Sequence, residues 1–176
     1  MKKNLNLGVL IPFLLLAFTV HLQAQDNPVS YKDVVVENPE PEVDMKVVVD
    51  YVNFCVNGKL DELKAILSDN YIAYGPGPKD SVNTEQLINQ WKENYKVQSN
   101  RKVNQITQTF RVLSGNLQGD WVNLWGTYSF TQNGKDLSLP FQLTAQVKDG
   151  KLERSTIYYD QVPVLLELGF TITPPK

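Results

Sequence analysis

The sequence predicts an α+β domain in which three amphipathic helices lead into a curved antiparallel sheet. Apolar residues recur at helical spacing between Val43 and Tyr95, and from Arg101 the period drops to two and stays there. The region of period two is divided by Asn133-Gly134 and Asp149-Gly150, dipeptides suited to two-residue hairpins because both central residues must take positive φ.

The N-terminus precedes this domain and has the three parts of a secretory signal. Met1-Lys2-Lys3-Asn4 is cationic, Leu7 to Val20 is apolar, and Leu22-Gln23-Ala24 ends in a small residue. The apolar run is shorter than the roughly 20 residues of a bilayer span, and the single cysteine, Cys55, is not placed to carry a lipid after the signal. Residues 1–24 are therefore expected to be a cleaved signal peptide, with cleavage near Ala24. The mature product is expected to be periplasmic or extracellular, without a stable membrane anchor.

Of 176 residues, 152 then remain, and the only histidine, His21, leaves with the signal. Loss of Lys2 and Lys3 takes Lys+Arg from 17 to 15 against 19 Asp+Glu, and the net charge from −2 to −4. An acidic chain without a basic cluster is poorly suited to nucleic acid. Without histidine there is no Ser-His-Asp or Cys-His nucleophile and no imidazole-ligated zinc. No metal and no cofactor is expected, because no loop has the acidic spacing of a calcium site. Cys55, alone on an apolar helical stripe, reads as a buried, inert thiol.

Residues 25–42, with Pro28, Pro39 and Pro41, read as an extended arm or linker around Val34-Val35-Val36. The domain proper spans 43–170. Val47, Val48, Tyr51, Phe54 and Cys55 form the stripe of a first helix ended by Asn57-Gly58, and Leu60, Leu63, Ile66 and Leu67 that of a second over 59–68. A short extended piece, Tyr71 to Tyr74, leads to the turn Gly75-Pro76-Gly77-Pro78. That turn is no phosphate loop, since its prolines remove amide donors and no Gly-Lys-Ser/Thr follows. Asn83 and Gln86 form a capping box for a third helix carrying Leu87, Ile88, Trp91 and Tyr95 on one face.

Four strands follow, at 101–113, 120–132, 137–148 and 151–160, then a short helix from Pro163 to Gly169 and a tail over 171–176. Alternation assigns Ile106, Phe110 and Val112, then Val122, Leu124, Tyr128 and Phe130, then Phe141, Leu143, Ala145 and Val147, to the face that meets the helices. The other face receives Thr107, Thr109, Gln142, Thr144 and Gln146, together with Trp121 and Trp125. Two tryptophans there suggest either a homodimer contact or a surface lying under the N-terminal arm.

The order helix, helix, short strand, Gly-Pro-Gly-Pro turn, helix and four-strand sheet, with Tyr158-Tyr159-Asp160-Gln161 and Leu165 to Gly169 closing it, resembles the SnoaL-like branch of the nuclear transport factor 2-like superfamily, a cystatin-like α+β fold. The resemblance covers nearly all of residues 43–170. It implies a cone, with the sheet curled around the helices to leave a pocket open at one end, often in a back-to-back dimer. It also implies that Asp160 matches the general-base aspartate of the cyclases, although those enzymes pair it with a histidine that the mature chain lacks.

Tyr51, Tyr74, Trp91, Tyr95, Tyr128 and Tyr158 are the expected pocket residues, and Tyr51, Tyr74 or Tyr158 would donate to a developing oxyanion. The alternative for Asp160 is a cap on the strand-to-helix junction; for Trp91 and Tyr95 it is plain core. Three function classes follow. The first is an exported protein binding a small apolar or aromatic ligand in the cone. The second is a histidine-free isomerase, cyclase or dehydratase acting through Asp160. The third is an interaction domain whose cone is filled by its own aromatics.

Overall fold

The computed structural model describes residues 30–173. The expected signal peptide, the start of the arm and the last three residues of the tail lie outside the described residues. In chain order the elements are α1 (Tyr31–Val34), β1 (Val35–Val36), α2 (Pro41–Asn57), α3 (Leu60–Ala65), β2 (Leu67–Tyr74), β3 (Ser81–Asn83), α4 (Thr84–Val97), β4 (Ser99–Val112), β5 (Gly119–Gln132), β6 (Lys135–Lys148), β7 (Lys151–Tyr159) and α5 (Val162–Glu167). The strands form one sheet in the order β1-β4-β5-β6-β7-β2-β3. All its pairings are antiparallel except β2 with β7.

Local chemistry explains most boundaries. Pro41 opens α2 from its first turn, where its missing N–H is no loss, and Glu42 and Asp44 place negative charge at the positive end of the helix. Gly58 ends α2 in the left-handed region at φ 76°. The capping box of α4 is complete: Gln86 N–H donates to Asn83 Oδ1, and Asn83 N–H donates to Gln86 Oε1, each at 3.0 Å. Asn133-Gly134 and Asp149-Gly150 all have positive φ, as two-residue hairpins require.

Several expectations are corrected. The prolines do not keep the whole arm extended, since Tyr31–Val34 forms one helical turn before β1 pairs with the end of β4, Val35 opposite Val112. The second helix stops at Ala65, and Leu67, expected on its stripe, starts β2. The sheet has seven strands, because the expected short strand begins earlier, at Leu67, and joins the four-strand meander as β2, while β1 and β3, not expected as strands, add its edges. On α2 the buried stripe is Val48, Tyr51, Val52, Cys55 and Val56, rotated slightly from the expected one, with Val47 and Phe54 only partly buried.

The faces of β4 are the reverse of those expected. Thr107 stands opposite Leu124 and Thr109 opposite Val122, so both threonines face the helices; Ile106 stands opposite Trp125 and Phe110 opposite Trp121, on the outer face. A one-residue change of register exchanges every side chain between faces. The inner face of β4 is closed partly by polar contacts. Thr109 Oγ1 accepts from Asn38 Nδ2 at 2.7 Å and donates to the Trp121 carbonyl at 2.8 Å, and Asn38 Nδ2 also donates to Asp44 Oδ2 at 2.7 Å. This cluster ties the arm to α2 and the sheet.

The core lies between the concave face of β5, β6 and β7 and the helices. Val122, Leu124, Leu143, Ala145 and Leu152 are essentially inaccessible, and α2 covers them with Val48 and Val52. Toward the other end of the sheet a cavity remains between α2, α4 and the strands.

Candidate functional site

The cavity holds about 720 Å³ between α2, α4 and the concave face of the sheet. Tyr51 and Ser155 line its deep end, Trp91, Tyr128 and Phe130 form an aromatic side, and Phe141, Leu143 and Ile157 continue the apolar wall. The aromatic side is ordered by ring packing. Trp91 meets Tyr128 edge-on with centroids 5.9 Å apart, and Tyr128 stacks on Phe130 at 4.9 Å. The Tyr128 hydroxyl donates to Gln98 Oε1 at 2.8 Å, which orients the ring, and burial pushes its pKa up.

At the deep end three hydroxyls touch. Tyr71 Oη donates to Tyr51 Oη at 3.0 Å and lies 2.7 Å from Ser155 Oγ. Desolvation raises the pKa of both tyrosines, so both stay protonated and act as hydrogen-bond groups. The mouth is formed by the turn after β2, by Tyr159 and by α5, whose Val164 and Leu165 face inward. The turn lies tight against β7. A Cβ at Gly75 would come within 2.2 Å of the Ile157 carbonyl oxygen, and its φ of 94° favours glycine in any case. Burial raises the Tyr159 pKa, and the charge of Asp80 adds to the effect.

Of the residues expected in the pocket, Tyr51, Trp91 and Tyr128 line its wall, and Tyr74, nearly half exposed, stands at the rim. Tyr95 does not line the cavity. Its hydroxyl donates to the Cys55 carbonyl at 2.5 Å, its ring lies under the Arg101 guanidinium at 4.6 Å, and burial pushes its pKa up to about 12. Tyr158 and Asp160 lie outside the cone, on a shallow outer groove of about 480 Å³ with Trp125, Pro140 and Gln142. Asp160 is exposed, and its Oδ1 accepts from Val162 N–H at 3.0 Å, which fixes the turn into α5. Cys55 is buried and burial pushes its thiol pKa up, so it is held as a neutral, unreactive group.

The missed cavity residues on β7 share one cause. Val147 pairs with Leu152 and Gln146 with Arg154, so Glu153 is an extra residue in a β-bulge. Strict alternation from the inward Leu152 would send Arg154, Thr156, Tyr158 and Asp160 into the cone. The bulge reverses the parity and sends in Ser155, Ile157 and Tyr159 instead. Tyr71 was within the expected short strand, and its position two residues before Ala73 on the inner face of β2 was the available signal.

Among the described residues no group of three or more His, Cys, Asp or Glu side chains is placed to hold a metal ion, and no helix is long and apolar enough to cross a membrane.

No family model and no curated protein matches the chain. Solved structures do match. A proposed SnoaL-like polyketide cyclase from Shewanella putrefaciens superposes with a TM-score of 0.59 at 11% identity, over 74% of this chain and 98% of that one. IdmH of Streptomyces antibioticus, a proposed polyketide cyclase, gives 0.58 at 14% identity, over 72% and 98%. A protein of ketosteroid isomerase-like fold from Catenulispora acidiphila, in complex with trimethylamine, gives 0.56 at 16% identity, over 73% and 97%.

Proposed function

With the nuclear transport factor 2-like cone of the SnoaL-like proteins as premise, we propose that this chain is an exported binding protein that takes a small apolar or aromatic molecule into the cone. The observation that carries the reading is the cavity itself. Its volume of about 720 Å³ falls within the roughly 300–1,000 Å³ of small-molecule pockets, and its lining joins an apolar and aromatic wall, with Trp91, Phe130, Phe141, Leu143 and Ile157, to polar side chains that include Gln90, Asn94, Gln98 and Ser155. Export rests on the tripartite N-terminus, and N-terminal sequencing of the secreted or periplasmic product should start at or near Gln25.

The enzymatic alternative through Asp160 draws no support from the geometry, because that carboxylate is exposed, outside the cone and engaged with the α5 backbone. Polyketide cyclase chemistry is a description of the structural relatives, and at 11–16% identity the likeness carries the fold alone.

Native mass spectrometry of the mature protein purified from its own host tests the reading, with a retained small molecule as the expected result. Titration with Nile red, a neutral apolar dye, gives a second test. The dye should brighten on binding, and Trp91→Ala should weaken its affinity. A protein that retains nothing and leaves the dye dim would favour a cone filled by its own side chains.

A further inference from the structure

Gly126 stands in the middle of β5, where a glycine forgoes side-chain packing and carries the largest loss of backbone freedom on folding. The backbone does not ask for it. Its φ lies outside the left-handed region, and the pairings of β5 run through it without a shift, Gln105 of β4 on one side and Phe141 of β6 on the other. The reason for the missing side chain lies on the inner face of the sheet. A Cβ at Gly126 would come within 2.7 Å of Cε1 and Cζ of Phe141, so the tip of the phenyl ring takes the space that a side chain would fill.

That ring is also cavity wall. Phe141 lines the cone between Leu139 and Leu143 on β6, opposite Tyr159 of β7. With its tip seated over Gly126, the ring leaves the most room above the sheet. A methyl group at position 126 has no other place to go. The Asn104 carbonyl oxygen lies 3.1 Å from the same point, and it belongs to the backbone of a paired strand. Beside the ring stand Leu143, 1% exposed, and the cross-strand Tyr159. What can yield is the far end of the ring, and the open direction is the cavity.

We infer that Gly126 is a specificity-determining residue of the cone: by seating the Phe141 ring it sets the width of the cavity, and with it the largest ligand the cone admits. The inference rests on the cone being a ligand cavity. Size is then the property selected at this wall. A side chain at position 126 lifts the ring and removes room, while the wall stays apolar.

Two neutral fluorescent dyes of different size separate width from general apolar affinity: Prodan, built on two fused rings, and Nile red, built on four. Fluorescence titration of the mature protein should show both dyes binding. In Gly126→Ala, Nile red should bind about tenfold more weakly and Prodan should change by less than about twofold, because lost room costs only the ligand that needs it. Phe141→Leu shortens the side chain that the added methyl meets. In Gly126→Ala with Phe141→Leu, the Nile red-to-Prodan affinity ratio should therefore return to that of Phe141→Leu alone. A role in packing alone would lower the melting temperature and leave the ratio where it was.

If Gly126→Ala weakens both dyes equally or changes neither, the width assignment fails and the cavity reading stands. A ratio that stays low in the double variant would mean that the methyl acts without Phe141, and would overturn the assignment. A Gly126→Ala chain that does not fold, with or without Phe141→Leu, would make the glycine a packing requirement and overturn it too, as would a wild type that takes Prodan and refuses Nile red. If the wild type binds neither dye, the cavity reading falls and takes this proposal with it.

Discussion

Asp44 is a carboxylate in the first turn of α2 with only 5% of its surface exposed, and it holds the arm through Asn38. Burial is the largest influence on it and raises its pKa; the bond from Asn38 opposes this, Asp120 and Glu40 add to the rise, and Arg111 offsets part of it. An acid whose pKa is higher in the fold than in the unfolded chain favours folding least once it is ionised. Its contribution is therefore most favourable below the ordinary carboxylate range and declines as pH rises through its raised pKa. Asp44→Asn can still accept from Asn38 but carries no charge. The variant should gain stability relative to wild type between pH 4 and pH 7 in chemical denaturation, and a relative loss over that interval would refute the account. Asp160 gives the contrasting case of an exposed carboxylate whose role is a turn. Asp160→Ala should lower stability by about 0.5–1 kcal/mol in the same experiment and leave Nile red affinity unchanged. The residue types of the site were legible in the sequence as tyrosines and tryptophans. Which of them point inward on β7 was not, because one bulge residue, Glu153, has no compositional mark and exchanges Tyr158 and Asp160 for Ser155 and Tyr159.

Elements with their own local chemistry were read most closely. The α4 capping box, the Gly58 stop of α2 and the two Asx-Gly hairpins all depend on residues within four positions of one another, so no knowledge of distant partners was needed. β4 was misread because its apolar residues fall on both parities. Ile106, Phe110 and Val112 outnumber Val103, yet the minority parity faces the helices, where Asn38 from the arm, more than sixty residues earlier, supplies a partner for Thr109. The turn after β2 is an element whose glycine can be tested. Gly75→Ala sets a methyl against the Ile157 carbonyl at a φ that side chains rarely adopt, and should cost at least about 1–3 kcal/mol. Gly115→Ala is the control, since its φ of 83° is similarly left-handed but nothing lies within 4 Å of the added carbon. Thermal unfolding should show the larger loss at Gly75; equal losses would mean that the approach to β7 carries no weight.

Across the whole molecule, the order of helices and strands was enough to indicate the cone, while the edges of the sheet were not, since β1 and β3 are two and three residues long. The same scale bears on self-association through the outer face, which we hold as a proposal. Trp121 is not available for it: Arg154 stacks on its ring at 4.8 Å, its Nε1 donates to the Leu117 carbonyl at 2.7 Å, and it is 8% exposed. The loop before β5, rather than the N-terminal arm, provides that carbonyl. The apolar surface that remains runs along one row of the sheet, Ile106 opposite Trp125, Trp125 opposite Gln142 and Gln142 opposite Tyr158, with Ile106 70%, Trp125 41% and Tyr158 58% exposed. A row of this kind on a sheet face suits a second copy of itself, because a two-fold axis near Trp125 would set each Ile106 toward the other copy's Tyr158. Ile106→Ser with Trp125→Ser should then shift the protein from dimer to monomer in sedimentation velocity at unchanged circular dichroism. Trp121→Ser should instead lower stability, by loosening the packing under Arg154, without a specific effect on association. A wild-type protein that sediments as a monomer at high concentration would end the dimer proposal and leave the row to another partner.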